Sequence, residues 1–367
     1  MIRIYFLCRA LVIALIVCSC SIEIDQIKET PQPENTPLVA STSLFPVTHI
    51  PVSWAHLNLT GRLIYLSSMG EGAELKSNVQ ILDLATGEIK TVLSIAGAWM
   101  YYATVSPDAE FLVMSYVPPN QSNSSPSRNL YVMPLDESAE PQALFTPPTP
   151  ADRYTQAEWS PDGTYIYYVH YNQDTQPEGQ FFEDYEILRM TYPNGEHEKI
   201  AQHAFWPRLS PDSSRLVYVS LEPATGKNDL FVANSNGSNS QQVVLSGPRV
   251  PEIIDAPVFS PDGQSILFSA PKPEQAYQPK LFERLLGIQV AKAHSVPSDW
   301  WSVPLTGGVP TQLTNIQTIN LFASISPDQR HLASLSGEGL FVMELDGSNL
   351  TQVVMDQGVH GTVSWIP

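Results

Sequence analysis

The sequence predicts an all-β protein, a six-bladed β-propeller whose last strand closes the first blade. Three observations carry this. A five-residue motif recurs along the chain: VSPDA at 105–109, WSPDG at 159–163, LSPDS at 209–213, FSPDG at 259–263 and ISPDQ at 325–329. Each copy is embedded in the same succession of short β-rich runs and polar turns, enough for four antiparallel strands. The chain ends on HGTVSWIP at 360–367, which looks like the run that precedes the other motifs.

Each motif copy reads as a turn between two strands. Ser suits the first position of a type I turn, Pro presets the backbone at the second, and Asp bonds back to local amides. A closing Gly tolerates the positive φ that starts the return strand. Second strands come next, at 111–116, 165–169, 216–220, 266–269 and 332–335. Third strands read NLYVM at 129–133, DLFVA at 229–233 and GLFVM at 339–343. Polar hairpins such as LDGSN at 345–349 lead to fourth strands ending near 312–314 or 352–354.

The earliest repeat lacks the motif but keeps the second, third and fourth strands, at 61–67, 78–84 and 88–93. Its missing first strand is supplied by 360–367, with Trp365 in the slot of Trp159, so the ring closes without an open edge. Six blades of four short strands need ~300 residues with their loops, which 51–367 supplies. The motif, the apolar residue before it and the fourfold strand pattern resemble the PD40 (WD40-like) repeats of TolB-like six-bladed propellers, over about 51–367. The resemblance implies the fold and leaves the activity open, since many activities share the scaffold. TolB carries an additional amino-terminal α/β domain with no counterpart in this sequence, so the resemblance does not extend to a role in the Tol–Pal envelope system.

Ahead of the propeller, 1–19 reads as a signal peptide: Arg3 and Arg9 form a basic start, and 10–17 is an unbroken apolar run, too short to span a membrane. Val17, Cys18, Ser19 and Cys20 resemble a bacterial lipobox. This implies a lipoprotein lipidated at Cys20, with simple secretion or an uncleaved leader as alternatives. Two or more acyl chains there would anchor the protein stably. Residues 20–50, rich in Pro, Thr and Ser, read as a tether that sets the propeller roughly 30 Å from its anchor. All three cysteines (Cys8, Cys18 and Cys20) lie in the leader, so disulfides contribute nothing to the body of the protein. The formal charge is −18. Losing Arg3 and Arg9 lowers Lys+Arg from 19 to 17 against 37 acidic residues, giving −20. Such a surface repels nucleic acid and suits a soluble exported protein.

In a propeller the motif turns share one face, and the loops joining second to third strands and one blade to the next share the other. The motif face is short and uniform. The second face carries long loops at 117–128, 170–184 and 271–298. Residues 278–294 in blade five read as a short amphipathic helix with Leu281, Phe282, Leu285 and Leu286 on one side. It either packs on its own propeller, covers the channel as a lid or docks a partner.

Blade-to-blade loops on that face supply the candidate binding residues Trp99, Tyr154, His203, Trp206, Asp255, Trp300, Trp301, Phe322 and His360. Tyr101, Tyr102, Phe205, Ile253, Ile254, Arg153, Arg249 and Glu252 lie among them. Aromatics at such positions either form a recognition surface or wedge between blades. Trp159 and Trp365 are expected in the core, and Glu158 with Arg208, in the same slot of adjacent blades, as a structural ion pair.

No GxSxG, HExxH, CxxC or calcium-loop pattern occurs. The expectation is a lipid-anchored, extracytoplasmic, non-catalytic binding or scaffold protein for an envelope protein, a peptide or a glycan, without catalytic residues, metal or cofactor. The alternative is a metal-assisted polysaccharide lyase or hydrolase using His203, His360 and Asp255 at the channel mouth.

Overall fold

The structure, a computed structural model, describes residues 47–70, 74–119, 128–175, 185–222, 227–248, 250–251, 253–272, 296–356 and 358–367. The leader, Cys20, most of the tether, Arg249, Glu252 and the expected helix at 278–294 lie outside the described residues. Among the described residues there is no α-helix, only short 3-10 turns such as Ala55–Leu57 and Gln173–Thr175. No helix there is long and apolar enough to cross a membrane.

Six antiparallel sheets form the six blades. Their innermost strands are Val359–Ile366, Met100–Val105, Asp152–Trp159, Ala204–Leu209, Asp255–Phe259 and Phe322–Ile325, in blades one to six. Val359–Ile366 pairs with Arg62–Met69, with Arg62 opposite Ile366 and Ser67 opposite Val359. The carboxy-terminal strand therefore closes the first blade, as the Trp365 match predicts. Blade one also gains an outer strand, Thr48–His49, paired with Ile89 and Glu88. That strand precedes residue 51, because the outer edge of blade one offers free backbone groups that two residues of the incoming chain can pair.

The motif turns owe their uniformity to one hydrogen-bond pattern. In each, the Ser hydroxyl donates to the Asp Oδ1 at 2.5–2.6 Å. The backbone N–H five residues after the Ser donates back to that hydroxyl at 2.8–2.9 Å. The residue after the Asp has positive φ in all five copies, though only Gly163 and Gly263 are glycine. These bonds hold Asp108, Asp162, Asp212, Asp262 and Asp328 below the usual carboxylate range, Asp212 at about 2. A carboxyl whose pKa falls on folding stabilises the protein above its unfolded value and loses that contribution as pH drops through its folded value. Denaturation midpoints should therefore hold down to about pH 4 and fall between there and about pH 2. A midpoint flat across that window would remove the turn aspartates from the stability of the fold.

The inner strands of blades three, four and five share a second feature. Gln156, Trp206 and Ala256, each four residues before a motif serine, have φ of 51°, 58° and 43°. The pairing register slips at the same place, between Tyr167 and Val169, Phe205 and Arg208, and Asp255 and Val258. These are β-bulges, which turn a side chain away from the direction that simple alternation would give it. In blade one the bulge holds Gly361 at φ 75°, where a Cβ would lie 2.5 Å from the Tyr101 carbonyl oxygen.

Candidate binding face at the channel mouth

The position four residues before the motif serine, irregular in register in blades two and four and regular in blade six, decides what lies at the centre of the ring. Tyr102, Trp206 and Phe322 occupy it in blades two, four and six, and their rings meet across the axis. Centroids are 5.4 Å apart for Tyr102 and Trp206, 5.0 Å for Trp206 and Phe322, and 6.0 Å for Tyr102 and Phe322. Gln156 in blade three braces the group, its Oε1 accepting from the Trp206 backbone N–H at 2.8 Å. Burial pushes the Tyr102 phenol up to about 12; Arg128 pulls it down and Asp255 pushes it up.

Nearer the motif face, Arg208 donates to Glu158 at 2.7 Å and reaches the Ala323 carbonyl of blade six at 3.4 Å. Burial raises the Glu158 carboxyl while Arg208 draws it down. Side chains of the described residues thus meet across the ring at two levels.

At the rim of blades one to three a series of rings leads to a cation. Trp99, 38% exposed, stacks on His360 with centroids 4.6 Å apart and planes at 24°. The two His360 ring nitrogens face the Gly358 and Met100 carbonyls at 2.9 and 3.0 Å, which pins the imidazole. Tyr101 meets Trp99 edge-on at 6.5 Å, and the Arg128 guanidinium lies 3.3 Å from the Tyr101 ring centroid. Arg128 is half-buried and makes no ion pair or side-chain hydrogen bond among the described residues.

Its charge also acts on Tyr185, whose phenol burial raises and Arg128 lowers. Tyr185 in turn stacks on Tyr171 at 4.4 Å. Arg153 is tied to the Pro150 and Asp152 carbonyls and to Gln173 Oε1. A planar cation held flat on an aromatic face is a ready partner for acidic or polar groups.

No protein-family model matches the chain. Solved structures do. TolB from Acinetobacter baumannii is 17% identical over 84% of this chain and 67% of its own, with a TM-score of 0.56. A putative TolB from Agrobacterium tumefaciens is 15% identical over 83% of this chain and 99% of its own, with a TM-score of 0.57. The fold is that of the TolB-like six-bladed propeller. A chain of a nidogen–laminin complex shares it at 10% identity and a TM-score of 0.54, over 83% of this chain and 97% of its own. At such identities the likeness is one of architecture.

Within this TolB-like propeller the candidate residues separate into three groups. Trp99 and His360 are joined at the rim. Trp206 and Phe322 belong to the channel plug, 5% and 4% exposed. Trp300, Trp301 and Tyr154 are blade packing: the Trp300 indole donates to Ser334 Oγ at 2.8 Å and the Trp301 indole to the Ala270 carbonyl at 3.0 Å. Tyr154 is wedged against Phe145 and stacked on His170.

His203 turns the chain between blades at φ 52°, its carbonyl accepting from Leu221 N–H and Ser220 Oγ. Asp255 is buried beside the plug. Among the described residues no group of three or more His, Cys, Asp or Glu is placed to hold a metal ion, so His203, His360 and Asp255 are not gathered as a ligand set. Sequence reasoning missed Arg128, whose setting depends on Tyr101 from the inner strand of the same blade.

Proposed function

We propose that this protein is a non-catalytic binding or scaffold module of the cell envelope, exported and held by a lipid on Cys20 at the extracytoplasmic side of the membrane, in the periplasm or at the cell surface. It captures an envelope protein, peptide or glycan on the loop-rich face. The observation that carries the reading is the rim of blades one to three, where exposed Trp99 and half-buried Tyr101 and Arg128 form one continuous ring-and-cation series. The leader and lipobox of the sequence support the location, and the TolB-like architecture supports protein binding in general.

A crosslinking pull-down from membranes tests it. The intact protein is compared with a Trp99→Ala, Arg128→Ala double variant, which should lose its partner while still folding, because Trp99 is exposed and Arg128 is half-buried and holds no ion pair among the described residues. A partner retained by the double variant places recognition elsewhere. Incorporation of labelled fatty acid that survives Cys20→Ala would remove the lipid anchor from the proposal.

A further inference from the structure

The motif face carries a cavity of about 370 Å³ between blades two and three. Phe111, Trp159 and Tyr192 wall it, and Asp108 and Asp162 line it with them. The Tyr192 ring lies 4.8 Å from Trp159 and 5.7 Å from Phe111. Among the described residues neither aspartate has an ion-pair partner. The Trp159 indole N–H, buried within a residue only 5% exposed, has no hydrogen-bond partner among them either. Trp365, in the same slot of blade one, donates to the Thr60 carbonyl at 2.9 Å. A Cβ on Gly163 would meet nothing within 4 Å.

Two blades on, the equivalent cleft is filled by the chain itself. Arg215 stands five residues after its motif serine, as Phe111 does in blade two. Its guanidinium carbon lies 5.5 Å from the ring centroid of Phe259, the counterpart of Trp159. Nη2 donates to the Gly263 carbonyl at 2.9 Å and would touch a Cβ on Gly263, the counterpart of Gly163. Asp212, the counterpart of Asp108, feels the same charge. In the cleft between blades six and one, His331 takes this position against Trp365, with centroids 6.2 Å apart. Blade two has an apolar residue there and a cavity instead.

We infer that the cleft between blades two and three is a receptor for an arginine side chain of a peptide or protein partner, which takes the place that Arg215 fills between blades four and five. The guest guanidinium lies against Trp159 and Tyr192 and donates to the Gly163 carbonyl, and Asp108 and Asp162 supply its counter-charge. An aromatic cage with carboxylates at its edge favours a weakly hydrated planar cation, and a strongly acidic protein draws such a partner in. This site is independent of the rim on the opposite face.

The experiment tracks the Trp159 indole N–H resonance, assigned by Trp159→Phe, in the propeller-containing full chain. The probes are Ac-Gly-Gly-Arg-Gly-Gly-NH2 and its citrulline and lysine counterparts. The arginine peptide should shift the resonance saturably, with the other two at least tenfold weaker. Asp108→Asn with Asp162→Asn keeps the Oδ1 acceptor of each turn and removes the charge. It should weaken binding at least tenfold, whereas Asp212→Asn should change it less than twofold. Phe111→Arg should fill the cleft from within and abolish binding without lowering the melting temperature.

Equal binding of the citrulline or lysine peptide overturns the assignment to arginine. An equal loss with Asp212→Asn reduces the effect to net charge and overturns the site. Should Phe111→Arg fail to fold, the asparagine pair alone decides.

Discussion

Trp300→Ala is expected to cost about 3–5 kcal/mol, as truncations of fully buried large aromatics do. Trp300 has no exposed surface and packs in the cluster of Val258, Leu267, Leu321, Leu332 and Met343, between blades five and six. Its indole donates to Ser334 Oγ of blade six, so truncation also strands a buried hydroxyl. Denaturant unfolding monitored by circular dichroism would measure the loss. Trp99→Ala, taken alongside, should change stability by less than about 0.5 kcal/mol, because its ring is at the surface. Equal midpoints for the two variants would refute the division of these tryptophans into blade packing and rim.

Arg208→Met is expected to destabilise the protein by about 3 kcal/mol at pH 7, at the low end of the range for breaking a buried pair. The low end applies because both side chains keep 20% exposure. The pH dependence has a definite sign. Burial raises the Glu158 carboxyl even with Arg208 beside it. A carboxyl raised by folding favours the folded state below its unfolded value and loses that contribution as pH rises through the folded value. Without Arg208 the folded value climbs further. The variant's deficit should therefore be smallest below about pH 4.5 and widen as pH increases. Glu158→Gln in the same background should recover much of the loss at pH 7. A deficit independent of pH would mean that Arg208 acts through packing alone.

The repeat architecture was legible because the motif is a local device. Ser, Pro and Asp within four positions close their own hydrogen bonds, so five copies report five turns whatever packs around them. Closure was legible for a related reason: Trp365 matched Trp159, and an orphan strand at one end answered a missing strand at the other. The ion pair of Glu158 and Arg208 could be read from two charges in one slot of neighbouring blades.

Other features lay beyond this kind of reading. Trp300 and Trp301 come after a long insertion and looked like loop-face aromatics. A propeller blade is covered on both faces by its neighbours, so consecutive residues pointing to opposite faces are both buried. The plug joins Tyr102, Trp206 and Phe322 from three non-adjacent blades, brought onto one axis by ring closure and, in blade four, by a bulge at Trp206 itself. Arg128 acquires its setting from Tyr101, and the arginine cleft emerges only when Phe111 is set against Arg215.

Sequence alone determined the turns, because their hydrogen bonds lie within a few residues, and through their repetition the blade count and the closing strand, whose run at 360–367 matches the one before each turn. Tertiary structure alone decided which aromatics face solvent, what meets at the centre of the ring, and that Phe111 leaves open a cleft whose counterpart Arg215 fills. Those outcomes depend on contacts between residues far apart in the chain, and no local pattern encodes which of two buried faces, or which neighbour, a side chain will meet.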